Sequence, residues 1–317
     1  MELDGLMEST LAEVCSLVTD GAHDTPKRVT SGYPLIKAKE ITGGRIDFET
    51  CDQISEEEHL EVIARSKPEF GDTLFAHIGA SLGEAAFVNT TREFSIKNVA
   101  LFKPNPAVIE ARYLYYLVTS PAFQALAKGT KTGSAQPFLG LSQLRGHCIR
   151  YHRDLATQRR IGAILSAYDE LMENSQRRIR LLEAMARALY REWFVHFRFP
   201  GHEKSSSPAG RGGGEGRASL VTSPLGEILQ GWEVKPLGEV ATIFSAKPAA
   251  QPSQAGLGPQ LKSHPVLSPP SEILARFEGL VKPMSAAVLG YSRKIQNLRR
   301  TRDLLLPRLL SGQVELR

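Results

Sequence analysis

The chain is poor in the residues that build metal sites and cross-links. Its three cysteines, Cys15, Cys51 and Cys148, are far apart and show no CxxC spacing, which argues against a disulfide framework and a zinc centre. The eight histidines are scattered, and the isolated HCIRYH at 147–152 is too small a cluster to suggest a metal. No apolar run approaches the ~18 residues that a membrane span requires. The opening MELDGLMESTLAEV lacks the basic-then-apolar layout of a signal peptide. A reducing cytoplasm is therefore the simplest expected compartment. Catalytic signatures are missing as well: no Walker motif, no NPPY- or DPPY-type segment and no PD…(D/E)xK cluster. These absences favour a binding protein over an enzyme.

What is present is unevenly spread. Residues 1–150 carry 15 Lys/Arg against 19 Asp/Glu, whereas 151–204 carry 10 against 7 and 271–317 carry 9 against 4. The overall charge of +5 thus resides in two segments that read as helices. A basic helix suits a nucleic-acid backbone or an acidic partner, and equally a solvated coiled-coil flank.

From Gln158 to His196 apolar residues recur at alternating steps of four and three, through Ile161, Leu165, Tyr168, Met172, Ile179, Leu182, Ala186, Leu189 and Trp193, with Ser175 as the one polar position. That is a heptad seam, and it predicts a helix of roughly 60 Å that must pair with another. The partner is expected in the same chain. A shift of 116 residues lays the seam on Phe277, Val281, Met284, Val288, Tyr291, Ile295, Leu298 and Leu305 without a gap, an internal repeat. Pro283 is expected to kink or restart the second helix and Pro307 to bend or end it. The ~70 residues between the helices reach ~45 Å as a flexible chain, enough for an antiparallel pair.

A second repeat has a different shift. LAEVCSLV at 11–18 matches LGEVATIF at 237–244, an offset of 226, so the second copy lacks about 110 residues that the first contains. The expected organisation is α+β: a mixed α/β domain over 1–150, a first long helix over 151–200, a linker over 201–230, a domain remnant with linker over 231–270, and a second long helix over 271–317. The segment GWEVKPLGEVATIF reads as the opening strand of the lost domain, and 246–270 as linker. Within 1–150, strands are expected at 34–41, 73–78, 85–88 and 98–104, and one helix at 109–129.

Several stretches together resemble the first recognition domain and conserved helices of type I restriction-modification specificity subunits. They are TDGAHDTP (19–26), GYPLIKAKEITGGRI (32–46), FGDTLFAHIGASLGEAAFV (70–88), TGSAQPFLGLSQL (132–144), the helix from TQRRIG to REWFV (157–195) and the ending LRRTRDLLLPRLLSGQVEL (298–316). The resemblance covers nearly everything except the two linkers, and rests on the order of motifs and the repeat.

It implies a non-catalytic subunit in which two recognition domains, spaced by antiparallel helices, each read half of a split target in double-stranded DNA. It also implies adenine-N6 methyltransferase subunits as partners, with motor-nuclease subunits able to join. S-adenosylmethionine, ATP and Mg would then sit on those partners, and no cofactor is expected on this chain. The chain departs from the pattern by lacking most of the second recognition domain, and by RDLATQRR at 153–160, where the family often has prolines. This leaves open a single-domain reader, a homodimer with a symmetric target, or a scaffold that binds methyltransferase without useful specificity.

For DNA contact the candidates lie on loops and strand ends: Lys37, Lys39, Arg45, Arg92, Lys97, Lys128, Lys131, Thr132, Ser134 and Gln136. Lysine and arginine suit phosphates and guanine, and glutamine can bridge adenine. The polar run GTKTGSAQ at 129–136 is the favoured loop. His23 reads as a DNA contact or as a prop for its own turn. GASLG at 79–83 lacks the GK[ST] ending of a nucleotide loop and reads as a structural turn or a DNA-facing loop.

Overall fold

A computed structural model describes residues 5–129, 138–201, 220–240 and 263–314. They form two compact units, residues 1–173 with 296–317, and residues 174–295. The content is α+β with two long helices.

In the first unit, β1 (Leu6–Thr10) runs into a short helix, α1 (Leu11–Val14), and then β2 (Cys15–Asp20). β3 (Arg28–Val29), β4 (Tyr33–Lys37), β5 (Ile41–Thr42), β6 (Arg45–Ile46) and β7 (Asp52–Ile54) lead to α2 (Glu56–Ser66). Ser55 caps α2 by accepting from the Glu58 amide, and Glu56, Glu57 and Glu58 fill its first turn. The acidic run therefore complements a helix N-terminus. Next come β8 (Thr73–Phe75), β9 (Ala85–Phe87), β10 (Ser95–Lys97) and β11 (Ala100–Pro104). The expected helix over 109–129 is two, α3 (Ala111–Thr119) and α4 (Pro121–Gly129). Ser120 between them is extended (ψ 151°), as a residue preceding proline prefers. α5 (Leu141–Arg145), β12 (Cys148–His152) and the long α6 (Leu155–Tyr190) follow.

Two four-stranded sheets face each other, ordered β2-β11-β8-β9 and β10-β4-β7-β3. The first is antiparallel throughout, while β10 and β4 pair in parallel. Ile36, Leu74, Phe94, Ile96 and Leu101 form the core between them. A second core joins Leu11, Val14, Phe75, Phe102 and Tyr113 to Ile161 and Leu165 of α6 and to Leu306, Leu309 and Leu310 near the C-terminus. This α+β fold is thus packed on the start of one long helix and the end of the other.

The second unit holds β13 (Leu220–Ser223), β14 (Gly226–Leu229), β15 (Glu233–Pro236), α7 (Leu237–Val240), β16 (Pro265–Ser268) and the start of α8 (Ser271–Leu310). Three expectations are corrected. Residues 220–229, read as linker, make a hairpin whose turn uses Gly226 at φ +101°. Of the strand expected over 231–244, residues 233–236 are strand and 237–240 are α7, while 241–262 lie outside the described residues. Residues 265–268, also read as linker, pair antiparallel with β15.

That last pairing repeats the first unit. β1 pairs antiparallel with β12, Met7 opposite Tyr151, and Glu233 lies opposite Ser268. Allowing for the two sequence offsets, the registers agree to within one residue. In the first unit 133 residues run between Val14 and Cys148; in the second, 24 run between Val240 and Pro265. The second strand pair closes a shorter stretch of sequence than the first.

α6 closes in a π-turn over Arg191–Val195. α8 continues through Pro283 without the restart expected there, and ends at Leu310, after Pro307 and before Gly312, as expected. A proline inside a helix removes one N–H and crowds the carbonyl four residues back. At Pro283 that residue is Gly279, whose carbonyl loses its helical donor. Pro307 falls in the last turn, three residues before the end.

Candidate nucleic-acid interface

The segment Asp20–Pro26 is sewn across the end of β10. The amides of Gly21 and Ala22 donate to the carbonyls of Val99 and Ile96 at 3.0 Å, and the Asn98 amide donates to Ala22 at 3.2 Å. Asn98 takes a left-handed conformation, φ 52°, which asparagine tolerates better than most residues. Beneath the loop the Asp20 carboxylate is 2% exposed and is held by Arg65 and by His23 Nε2 at 3.3 Å. His23 therefore props its own turn.

Lys97 and Lys37 end the two parallel strands side by side, in register. The Lys97 ammonium donates to Thr25 Oγ1 from the loop. Lys37 pairs with Asp52, which also meets Arg28 Nε at 3.1 Å. The hydrogen bond from Lys37 holds the Asp52 carboxyl below its ordinary pKa. Lys97 is lowered, first by partial burial and then by Lys37 beside it. Two cations on adjacent strands, with one carboxylate between three basic groups, leave a positive edge suited to phosphate.

On the other side of the loop lies His77, which is 1% exposed. Its Nδ1 donates to the Leu139 carbonyl at 2.9 Å, while the Leu139 amide donates back to the His77 carbonyl. The neighbouring Ile78 bridges Phe138, which is 53% exposed. Phe138 marks where the chain returns from 130–137, a segment outside the described residues.

Of the residues singled out in the sequence, Lys37 and Lys97 come together. Lys39 is exposed and reaches Glu40 at 3.2 Å. Arg45 is exposed on β6, and Arg92 stacks on Phe48 at 5.2 Å. Neither is joined to the cluster by an ion pair or hydrogen bond among the described residues. Lys131, Thr132, Ser134 and Gln136 lie outside the described residues, as does the Lys128 side chain. Gly79 and Gly83 lie in the turns after β8, both at positive φ. Sequence reading missed Thr25, Arg28, Asp52 and Asn98. Thr25 could have been found inside TDGAHDTP, but nothing local to Arg28 or Asp52 reveals that β3, β4 and β7 align them.

The start of α6 and the end of α8 pack on the core of the first unit. On the seam, Ile161, Leu165 and Ile179 are buried, and Tyr168, Leu182, Leu189, Phe277, Met284, Ile295, Leu298 and Leu305 are half-buried. Pairing is antiparallel within each unit. In the first, Asp169 binds Arg302 and accepts from the Tyr116 hydroxyl at 2.6 Å. In the second, Arg178 donates to the Tyr291 hydroxyl at 3.0 Å, and Phe277 packs on Trp193 and Phe194. Residues related by the 116-residue shift are therefore equivalents, not contacts. Gln158, which is fully buried, ties α6 to the recognition fold through three backbone groups.

Burial depresses the pKa of His59, His77 and His147. The unfolded chain then binds protons that the folded chain refuses. This contribution to stability is present above the ordinary histidine pKa of about 6.5 and is lost as pH falls below it. Urea unfolding of the recognition unit is expected to show a lower midpoint at pH 5.5 than at pH 7.5, with the difference reduced in His77→Asn.

The chain matches no family model. It is 26% identical over 236 residues to the MjaX type I restriction enzyme specificity subunit of Methanocaldococcus jannaschii, covering 72% of this chain and 51% of that protein. The MjaIX type I specificity subunit of the same organism is 26% identical over 232 residues, covering 69% and 50%. A crystal structure of the type I restriction-modification S subunit from M. genitalium superposes with a TM-score of 0.63 at 11% identity, covering 100% of this chain and 99% of that one. The fold is that of a type I specificity subunit. The chain spans about half the length of the curated relatives it matches. No helix among the described residues is long and apolar enough to cross a membrane.

Proposed function

We propose that this chain is a non-catalytic DNA-specificity subunit that reads a half-site through its one full recognition domain and positions adenine-N6 methyltransferase subunits. The observation that carries this reading is the positive edge formed by Lys37 and Lys97 at the ends of β4 and β10, where Lys97 meets Thr25 of the sewn-down loop 20–26. S-adenosylmethionine, ATP and Mg would be supplied by methyltransferase and motor-nuclease partners, and the chain itself would hold none. The second unit would keep the helices paired without a second reading head.

Co-expression with the cognate methyltransferase, followed by mapping of N6-methyladenine across the host genome, tests the proposal. A single reproducible half-site or an interrupted palindrome is expected. No motif despite co-purification would leave a scaffold without specificity. The double variant Lys37→Gln/Lys97→Gln is expected to weaken duplex binding about tenfold, roughly 1.4 kcal/mol. The salt slope should fall by about two, and the preferred sequence should stay unchanged, because phosphate contacts position but do not specify. A changed motif would instead make these lysines base readers.

A further inference from the structure

The outer face of α6 in the second unit carries an arginine stripe that the half-site reading does not use. Arg177, Arg180, Arg187 and Arg191 follow one another at steps of three, seven and four, so all four fall on the face opposite the buried seam of Ser175, Ile179 and Trp193. All four are exposed. Arg187 lies 4.0 Å from Glu183, the limit of an ion pair. No salt bridge or hydrogen bond to the side chains of Arg177, Arg180 or Arg191 is present among the described residues. Ala184, also exposed, lies among the arginines, and exposed Ala188 lies beside it at the border of the face. The four arginines extend over ~21 Å of helix.

We propose that this stripe binds the phosphate backbone of duplex DNA without reading its sequence. Guanidinium groups offer planar, paired donors that match phosphate oxygens, and there is no lysine on the face. The small Ala184 among them lets the helix approach a backbone closely. Over ~21 Å one strand of B-DNA passes about six phosphates, so four arginines can each engage one. An acidic helix docking as in a coiled coil would want large apolar side chains at the centre of the face. Leu181 and Met185, exposed at 61% and 45%, lie along one border instead. The sequence-independent hold would supplement the single reading domain, so this inference complements the proposed function, yet either can fail alone.

The test is fluorescence anisotropy of the full chain on a 30-base-pair duplex of random sequence, over a salt series. Changing all four arginines to glutamine should lower the slope of log affinity against log salt by about three to four, since each phosphate contact contributes ~0.9. Changing all four to lysine should keep most of the slope. Should the four-glutamine chain lose its helical circular dichroism, Arg180→Gln/Arg187→Gln should still lower the slope by about two. An unchanged slope in the glutamine variants overturns the inference. If those variants also failed to co-purify with the methyltransferase, the stripe would belong to an acidic protein surface. A stripe-dependent slope with no methylated motif would uphold this inference and remove the half-site role; a motif with a stripe-independent slope would do the reverse.

Discussion

Gly21→Ala is expected to destabilise the first unit by about 3 kcal/mol or more and to remove most of its duplex affinity. The reason is not a special backbone angle but a close approach. A Cβ on Gly21 would sit 2.0 Å from the Ile96 carbonyl oxygen and 2.8 Å from the Lys97 amide nitrogen. Both atoms are backbone in β10, so no flexible side chain can yield. The loop must lift or the strand must shift. Either movement disrupts the amide bonds from Gly21, Ala22 and Asn98, each worth ~1 kcal/mol net. It also parts Thr25 from Lys97, dismantling the positive edge. Gly43→Ala is a useful contrast. Gly43 has φ +59° but open space around it, so only the left-handed strain of about 1 kcal/mol applies. Urea unfolding and anisotropy on both variants separate the two causes. A Gly21→Ala chain within 0.5 kcal/mol of the parent, binding DNA normally, would show that the loop is not anchored in this way.

Much of the architecture was legible because it rests on periodicity. The heptad from Ile161 to Trp193, and its copy from Phe277 to Leu305, needed only the 3.5-residue repeat to be seen. The half-buried seam follows that repeat at every step. The 226-residue offset placed a strand where β15 stands, whereas β16 falls in residues read as linker. Short elements were less legible. Residues 220–229 contain Ser, Pro and Gly, the composition of a linker, yet Leu220–Ser223 and Gly226–Leu229 pair, and Ile228 and Leu229 are buried with Trp193, Phe199 and Trp232. Tertiary burial decided that hairpin, not local propensity.

The residues of the positive edge were legible only as a list of cations. Which of them converge depends on strand register: Lys97 opposite Lys37 is a consequence of parallel pairing between strands about sixty residues apart. No spacing along the chain announces it. Arg92, equally basic, stacks on Phe48 instead.

Gln158→Leu should be the most damaging single change on α6, costing the first unit roughly 3–5 kcal/mol. The side chain is completely buried at the start of the helix. Its Oε1 accepts from the Glu110 amide at 2.7 Å, and its Nε2 donates to the carbonyls of Val108 at 3.0 Å and His152 at 2.7 Å. One amide thus satisfies three backbone groups from two segments of the recognition fold. Leucine fills similar space but abandons all three, at about 1–3 kcal/mol for each buried group left unpaired. Gly162, one turn later, permits the approach that makes this possible. A Cβ there would meet Glu110 Oε2 at 2.8 Å and Arg112 Cβ at 3.3 Å, and that Glu110 oxygen already caps α3 through the Tyr113 amide. Gln158→Glu tests the donor separately. It keeps the acceptor and the shape but sets carboxylate against two carbonyls, so its cost at neutral pH should match or exceed that of leucine. If both variants unfolded at the parent's urea midpoint, the recognition fold would be held to α6 by the apolar contacts of Ile161 and Leu165 alone.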